Sequence, residues 1–211
     1  MIKASRVSIL GGVLSLVMVS AAGAQAPPNW RVAPEDGGAG KPVEFVMMPP
    51  GWHITTGPAA LLFDPRRILE DRFTLATELF LFPESSTESY GLFVGGNTLE
   101  GAGARYLALQ LRRDGTAGVL QRRNGQTSTL VDWKPIAAVG PHPGKDTQRI
   151  TMSIEVDSTA VSFKANGEEV ARLPRSGLDL AGHFGFRMGN GINVHVVGLD
   201  VTEKLAPPRR R

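Results

Sequence analysis

The stretch Ala181–Thr202, AGHFGFRMGNGINVHVVGLDVT, decides the fold. It contains two runs in which apolar and polar residues alternate, and alternation with a period of two predicts β-strands. Asn190-Gly191 separates the runs, and an Asn-Gly dipeptide supplies the positive φ angles of a tight hairpin turn. The apolar phase then shifts by one residue near Gly198, which predicts a bulge there. A hairpin this apolar needs a second layer of protein to cover it.

The rest of the chain repeats this pattern. Three further Asx-Gly dipeptides, at 114–115, 124–125 and 166–167, each separate two short alternating runs, and no segment of useful length has a helical period. Such spacing predicts an antiparallel meander or Greek-key structure. A closed barrel and a two-sheet sandwich both satisfy the pattern, but the number of strands and their one-sided polar faces favour an all-β, two-sheet antiparallel sandwich.

The amino-terminal residues 1–26 read as a signal peptide. Lys3 and Arg6 precede an uncharged apolar run at 7–19, and Ala24-Gln25-Ala26 is a small-x-small cleavage pattern. The run is too short and too rich in small residues for a transmembrane helix. We therefore expect an exported protein, periplasmic or secreted, with no stable membrane insertion after cleavage. The alternative is an uncleaved amino-terminal anchor. The chain has no cysteine, which excludes disulfides and a lipoprotein anchor.

Composition predicts three segments in the remainder of the chain. Residues 27–40 are rich in Pro, Gly and Ala and are expected to form a flexible leader. Residues 41–204 are expected to form the sandwich domain, and residues 205–211, LAPPRRR, a basic disordered tail. The net charge of +3 is largely due to the two ends. The sequence contains neither a basic helix nor a strand in which aromatic and basic residues interleave, so it gives no indication of a nucleic-acid partner.

Several segments between Gly51 and Thr202 resemble a known type of domain. They are GWHITTGPAALLFDP, FTLATELFLFP, YGLFVGG, YLALQLRRDGTAGVLQRRNG, TLVDW, VSFKANGEEVARLP and GHFGFRMGNGINVHVVGLDV. Their order resembles the concanavalin A-like, laminin G-like jelly-roll domains of secreted bacterial proteins, in particular the 3-keto-disaccharide hydrolase type. The resemblance implies two curved antiparallel sheets, with glycans bound on the concave one. It is carried by turns and alternating strands, so it implies a fold more than an activity.

The sequence lacks the carboxylate pair of a catalytic jelly roll. Enzymes of the laminarinase type carry E-x-D-x-x-E on one strand, which places an acid and a nucleophile at the separation that a retaining mechanism requires. Here Glu78 is the only carboxylate within residues 73–82. Glu78 and His195 are the candidate acid/base residues if the domain cleaves 3-keto-glycosides, although a lone acid on a strand is more often ion-paired or solvated. There is no G-x-S-x-G nucleophile motif, and no cofactor is expected.

Sugar binding requires a flat aromatic ring beside planar polar side chains. Residues of this kind share the strand face opposite Leu107, Leu109 and Leu111, and others are expected to join them from neighbouring strands. The predicted ligand-binding residues are Tyr90, Tyr106, Gln110, Arg112, Arg187, Asn193 and His195. The four histidines form no H-x-H or i, i+4 pair and the acids are scattered, so no metal site is predicted.

Three functions remain open at this stage. The leading hypothesis is an exported module that binds a glycan or another polyhydroxylated ligand without a catalytic pair. The first alternative is a glycoside hydrolase of the 3-keto-disaccharide type. The second is a structural or interaction domain of the cell envelope.

Overall fold

A computed structural model describes residues 26–35 and 43–204, and the remaining residues of the predicted signal peptide and the predicted basic tail lie outside these ranges. The described residues form fifteen β-strands and no α-helix. In chain order the strands are β1 (Arg31–Pro34), β2 (Glu44–Met47), β3 (Trp52–Thr55), β4 (Ala60–Phe63), β5 (Phe73–Leu81), β6 (Tyr90–Asn97), β7 (Arg105–Leu111), β8 (Thr116–Arg123), β9 (Gln126–Pro135), β10 (Gln148–Val156), β11 (Ala160–Ala165), β12 (Glu168–Pro174), β13 (His183–Met188), β14 (Asn193–Val196) and β15 (Asp200–Glu203). Over the same ranges, no helix has the length and apolar character needed to cross a bilayer.

The strands form two antiparallel sheets. One has seven strands in the order β1-β4-β13-β6-β7-β8-β9. The other has eight, in the order β12-β11-β10-β5-β14-β3-β2, with β15 also paired to β5. The prediction of an all-β, two-sheet antiparallel sandwich is confirmed.

The main core lies between the two sheets. Along β5, buried residues alternate strictly with partly exposed ones, as expected when one face of a strand packs against a second layer. Leu107, Leu109 and Leu111 of β7 point into this core, as predicted, and each is at most 1% exposed. Burial of these apolar side chains is what holds the two sheets together.

Of the Asx-Gly dipeptides at 114–115, 124–125, 166–167 and 190–191, the first three close hairpins. Asn124 and Gly125, between β8 and β9, both have positive φ angles, of 50° and 77°. The dipeptide at 166–167 does the same between β11 and β12. Positive φ at both central residues is the requirement of the turn that matches strand twist, so these hairpins confirm the prediction.

The hairpin predicted at Asn190-Gly191 is wrong. Strand β13 before it belongs to the seven-stranded sheet and β14 after it to the eight-stranded sheet. Only Gly191 of the dipeptide has a positive φ, of 68°, so the turn lacks hairpin geometry. Other loops hold the crossing segment: Thr56 Oγ1 donates to the Gly189 carbonyl at 2.6 Å, and the Ser86 amide donates to the Gly191 carbonyl at 2.9 Å.

The irregularity predicted near Gly198 is present. Val196 of β14 lies opposite Leu79 of β5, whereas Asp200 of β15 lies opposite Ala76, and the two registers differ by one residue. The extra residue is accommodated between β14 and β15, where Thr77 Oγ1 donates to the Gly198 carbonyl at 2.6 Å.

The flexible leader predicted for 27–40 is wrong for residues 31–34. These residues form β1, which pairs with β4 at the edge of the seven-stranded sheet. The preceding Trp30 stacks on Phe186, with ring centroids 5.7 Å apart. A Pro/Gly-rich composition weakens a strand, but two partners, a neighbouring strand and an aromatic ring, outweigh it here.

Candidate functional site

A second apolar cluster lies on the outer face of the seven-stranded sheet, away from the eight-stranded sheet. On β4, β6 and β7 its members alternate with residues of the main core, as strand geometry requires. We call it the outer cluster; it consists of Ala33, Leu61, Phe63, Phe93, Leu99, Tyr106 and Ala108. All of them are less than a tenth exposed. This face is therefore covered over much of its area rather than open to solvent.

A buried network of polar side chains adjoins the outer cluster. Arg187 on β13 pairs with Glu35 just after β1, with Nη2 donating to Oε2 at 2.8 Å. Arg187 Nη1 also donates to Ser89 Oγ at 2.9 Å and to Gln110 Oε1 at 3.0 Å. The Tyr106 hydroxyl donates to Glu35 Oε1. These five residues form what we call the buried network, and it joins β1 to the strands in the middle of the sheet.

Charges within the buried network compensate each other. Burial raises the pKa of the Tyr106 hydroxyl well above its usual range, and the negative charge of Glu35 raises it further. Burial by itself disfavours the charged form of Arg187 and is the largest single influence on its pKa, but the interactions with Glu35 and Tyr106 together outweigh it, so the pKa of Arg187 is raised. Tyr106 therefore stays a neutral hydrogen-bond donor and Arg187 a cation at physiological pH.

A cleft of about 550 Å³ opens beside the buried network. It lies between the end of β1, the loop at 99–104 and the β8–β9 hairpin. We call it the outer cleft; its lining combines apolar, polar and charged groups, namely Pro34, Glu35, Leu61, Leu99, Gly101, Ala102, Ala104, Tyr106, Arg122, Asn124, Gly125 and Gln126. Its volume falls in the range of small-molecule sites, and its mixed lining is typical of them.

Several polar side chains of the outer cleft are held in place by neighbours. Arg122 is only 8% exposed, and its Nη1 donates to Thr127 Oγ1 at 3.2 Å. Arg105 Nη2 donates to Asn124 Oδ1 at 3.4 Å. Because these contacts restrict the side chains before any ligand arrives, less conformational entropy is lost on binding.

The structure brings together three of the predicted ligand-binding residues. Tyr106, Gln110 and Arg187 meet in the buried network, but only Tyr106 also lines the outer cleft. Gln110 is fully buried. Arg112 lies over the ring of Trp133, with its guanidinium carbon 3.7 Å from the ring centroid, and does not line the cleft.

The other predicted ligand-binding residues lie elsewhere. Tyr90 belongs to the main core between the sheets and is 1% exposed, and burial raises the pKa of its hydroxyl well above the usual range. Asn193 and His195 lie on β14 of the eight-stranded sheet. The predicted set is therefore divided among the buried network, the main core, the Trp133 ring that Arg112 covers, and the opposite sheet.

Glu78, the candidate catalytic acid, is ion-paired. Arg149 donates from Nε to Oε1 at 2.8 Å and from Nη2 to Oε2 at 3.0 Å, and these bonds lower the pKa of Glu78. A general acid needs the opposite shift, because it must hold its proton near neutral pH. Among the described residues, no three or more His, Cys, Asp or Glu side chains are grouped as metal ligands.

Sequence reasoning missed most of the outer cleft. Glu35 stands in a Pro/Gly-rich stretch that carries no strand signal, and Asn124 reads as a turn residue. Arg122 is different, since the Asp114-Gly115 turn fixes the register that places it directly opposite Tyr106. That register was the signal available in the sequence.

The two-sheet architecture also occurs in solved structures. The carbohydrate binding module CBM66 from Bacillus subtilis superposes with a TM-score of 0.62 at 8% identity, over 83% of this chain and 96% of that one. A protein of unknown function with a galectin-like fold from B. subtilis gives 0.61 at 14% identity, over 82% and 88%. The mixed linkage glucan GH16 of Bacteroides ovatus, solved with a product, gives 0.57 at 8% identity, over 82% and 94%.

These likenesses define the class of fold. The protein is a jelly-roll sandwich of the concanavalin A-like kind, as the sequence predicts. Comparison with protein-family models and with curated protein sequences gave no match.

Proposed function

We propose that the protein is an exported jelly-roll module that binds a glycan in the outer cleft. The observation that carries the proposal is the composition of the cleft. Arg122, Asn124 and Gln126 place polar groups beside the apolar Leu61 and Leu99. A saccharide has the matching surface, because its ring carries hydroxyls at the edge and C–H groups on the faces.

Solved structures of similar fold and the amino-terminal sequence support the same proposal. One neighbour is named as a carbohydrate binding module and another was solved with a glucan product. The signal-peptide pattern at 1–26 supports export to the compartment where extracellular glycans are met. Cleavage of 3-keto-glycosides by Glu78 or His195 has less support, since Arg149 holds Glu78 in its ionised form.

Gln126→Ala tests the cleft directly. We first screen the protein on a glycan array and then measure the affinity for the best oligosaccharide by calorimetry. Gln126 is exposed at the cleft, so its truncation removes an amide contact without opening the core. Losing one hydrogen bond of about 1 kcal/mol predicts an affinity about fivefold weaker, with the melting temperature unchanged.

Ser128→Ala is the matched control for this experiment. Ser128 is exposed on the same strand but does not line the cleft, so its truncation is expected to leave the affinity unchanged. The proposal fails if no oligosaccharide binds at millimolar concentration, or if Gln126→Ala and Ser128→Ala reduce binding equally.

A further inference from the structure

A row of aligned side chains crosses the outer face of the eight-stranded sheet, the face opposite the outer cleft. Val46 on β2 lies opposite His53 on β3, His53 opposite His195 on β14, and His195 opposite Phe80 on β5. The Thr56 amide donates to the Ile192 carbonyl at 2.9 Å. Thr56 and Ile192 are therefore a hydrogen-bonded pair, and such pairs alternate with non-hydrogen-bonded pairs along an antiparallel ladder. His53 and His195 lie three pairs further along, so they form a non-hydrogen-bonded pair, in which side chains lie closest.

Three polar atoms at this place are buried and make no hydrogen bond of normal geometry. They are Nδ1 of His53, Nδ1 of His195 and Oδ1 of Asn193. Asn193 lies two residues before His195 on β14, so both side chains project from the same face of the strand. A buried polar atom without a well-formed hydrogen bond destabilises a fold, and three of them on neighbouring positions call for an explanation.

The hydrogen bond of His195 fixes which of its nitrogens carries the proton. Nε2 lies 2.9 Å from the Pro50 carbonyl, which can only accept, so Nε2 carries the hydrogen and Nδ1 keeps its lone pair. Metal-binding histidines typically have this arrangement, with one ring nitrogen donating to a carbonyl and the other on the ion.

The three side chains are neighbours in a largely enclosed place. The His53 ring packs edge-on against Phe82 with centroids 4.7 Å apart, and His195 is only 8% exposed. The Asn193 side chain interacts with the His53 ring, and His195 lies close enough to His53 to act on it electrostatically.

We propose that His53, His195 and Asn193 form a binding site for a divalent transition-metal ion such as Zn²⁺, with the two histidine Nδ1 atoms and Asn193 Oδ1 as ligands. The site takes no part in the proposed glycan binding, because it lies on the opposite sheet. Nitrogen donors suit zinc and neighbouring metals rather than calcium or magnesium. All three ligands are neutral, so we expect an exchangeable ion of moderate affinity rather than one required for folding.

Calorimetric titration of the full chain with ZnCl₂ tests this proposal. The protein is produced as the cell delivers it, without a histidine tag. We expect one Zn²⁺ per chain, and affinity at least tenfold weaker in both His53→Gln and His195→Gln. His142→Gln is the control, because both ring nitrogens of His142 already have partners, the Leu81 carbonyl at 3.2 Å and the Gly144 amide at 2.9 Å.

Asn193→Asp tests the proposal through an expected increase in Zn²⁺ affinity. It replaces a neutral oxygen ligand by a charged one of the same shape and is expected to raise the Zn²⁺ affinity at least tenfold. Circular dichroism checks that each variant folds. The proposal is overturned if the unmodified chain binds no stoichiometric Zn²⁺, if His142→Gln loses as much affinity as the other two histidine variants, or if Asn193→Asp brings no gain.

Discussion

At the scale of single residues, Arg187 organises the outer face of the seven-stranded sheet. It contacts Glu35 after β1, Ser89 before β6 and Gln110 on β7, so one side chain ties three parts of the chain together. Its side chain is 15% exposed and that of Glu35 is 5% exposed. A pair this buried is poorly screened by water, and removing one partner leaves the other charge uncompensated.

Arg187→Met is therefore expected to destabilise the protein by about 3–5 kcal/mol. Urea denaturation followed by circular dichroism measures the change. The double variant Glu35→Gln/Arg187→Met removes both charges and is expected to lose less than the sum of the two single variants. Additive losses would show that the two side chains stabilise the fold independently.

Tyr106 is a structural residue as well as part of the cleft. It is 3% exposed and packs on Phe93, with ring centroids 5.7 Å apart. Tyr106→Phe keeps the ring but leaves Glu35 Oε1 without that donor, so a loss of about 1–3 kcal/mol is expected. Tyr106→Ala also opens a cavity and should cost more, close to the 2–5 kcal/mol expected of Leu109→Ala in the main core. Equal melting temperatures for Tyr106→Ala and the unmodified protein would contradict this role.

Alternation along a strand shows which face a residue occupies but not what covers that face. The sequence correctly separates Tyr106 and Gln110 from Leu107 and Leu109. It does not show that Arg187 and Glu35 enclose the polar side, because Glu35 is 71 residues away from Tyr106 along the chain. Partners this distant depend on strand order, which a local pattern does not contain.

At the scale of elements, β13 shows how closely neighbouring strands approach. It lies between β4 and β6, and a Cβ atom on Gly185 would lie 2.0 Å from the Leu62 carbonyl oxygen. Backbone cannot yield as a flexible side chain does, so Gly185→Ala is expected to cost about 1–3 kcal/mol or more. Thermal unfolding of the variant measures this cost.

Gly198→Ala is the matched control for β13. A Cβ atom on Gly198 would meet nothing within 4 Å, and its φ angle is not in the left-handed region. Its substitution should be neutral or slightly stabilising, because alanine restricts the unfolded chain. A loss at Gly198 equal to that at Gly185 would show that glycine flexibility, rather than strand contact, is what matters.

The Asn190-Gly191 crossing marks a limit of local signals at this scale. The dipeptide predicts a reversal of the chain, and the chain does turn there. The dipeptide does not encode which sheet the next strand joins, since Thr56 and Ser86, which hydrogen-bond to the crossing segment, belong to loops that are distant in sequence. By contrast, the bulge near Gly198 was predictable, because the alternation of apolar residues changes phase within the local sequence.

At the scale of the whole molecule, the two outer faces have different chemistry. The seven-stranded sheet carries the outer cleft, whose lining mixes apolar and hydrogen-bonding groups. The eight-stranded sheet carries ion pairs such as Arg149–Glu78 and Lys164–Glu155, together with the histidine pair of β3 and β14. Such exposed ion pairs contribute little to stability. The sandwich class was predictable because it rests on the period and spacing of short strands, whereas the division of the faces was not.

The stability of the whole sandwich at alkaline pH depends on the ionisation of its two tyrosines, Tyr90 and Tyr106. Both are buried and both have a pKa raised above the ordinary value of 10.0. The unfolded chain loses these protons near pH 10 while the folded chain keeps them. The stabilisation is therefore complete below pH 10 and is lost as the pH rises above it.

Tyrosinate absorbance measured during an alkaline titration checks this prediction. The folded protein should show almost no tyrosinate at pH 10, and both rings should ionise in the same step in which circular dichroism shows unfolding. Tyr106→Phe should halve the absorbance change, because only Tyr90 remains to ionise. Either ring ionising near pH 10 in folded protein would place it in solvent, and for Tyr106 this would mean that the buried network does not close over the hydroxyl.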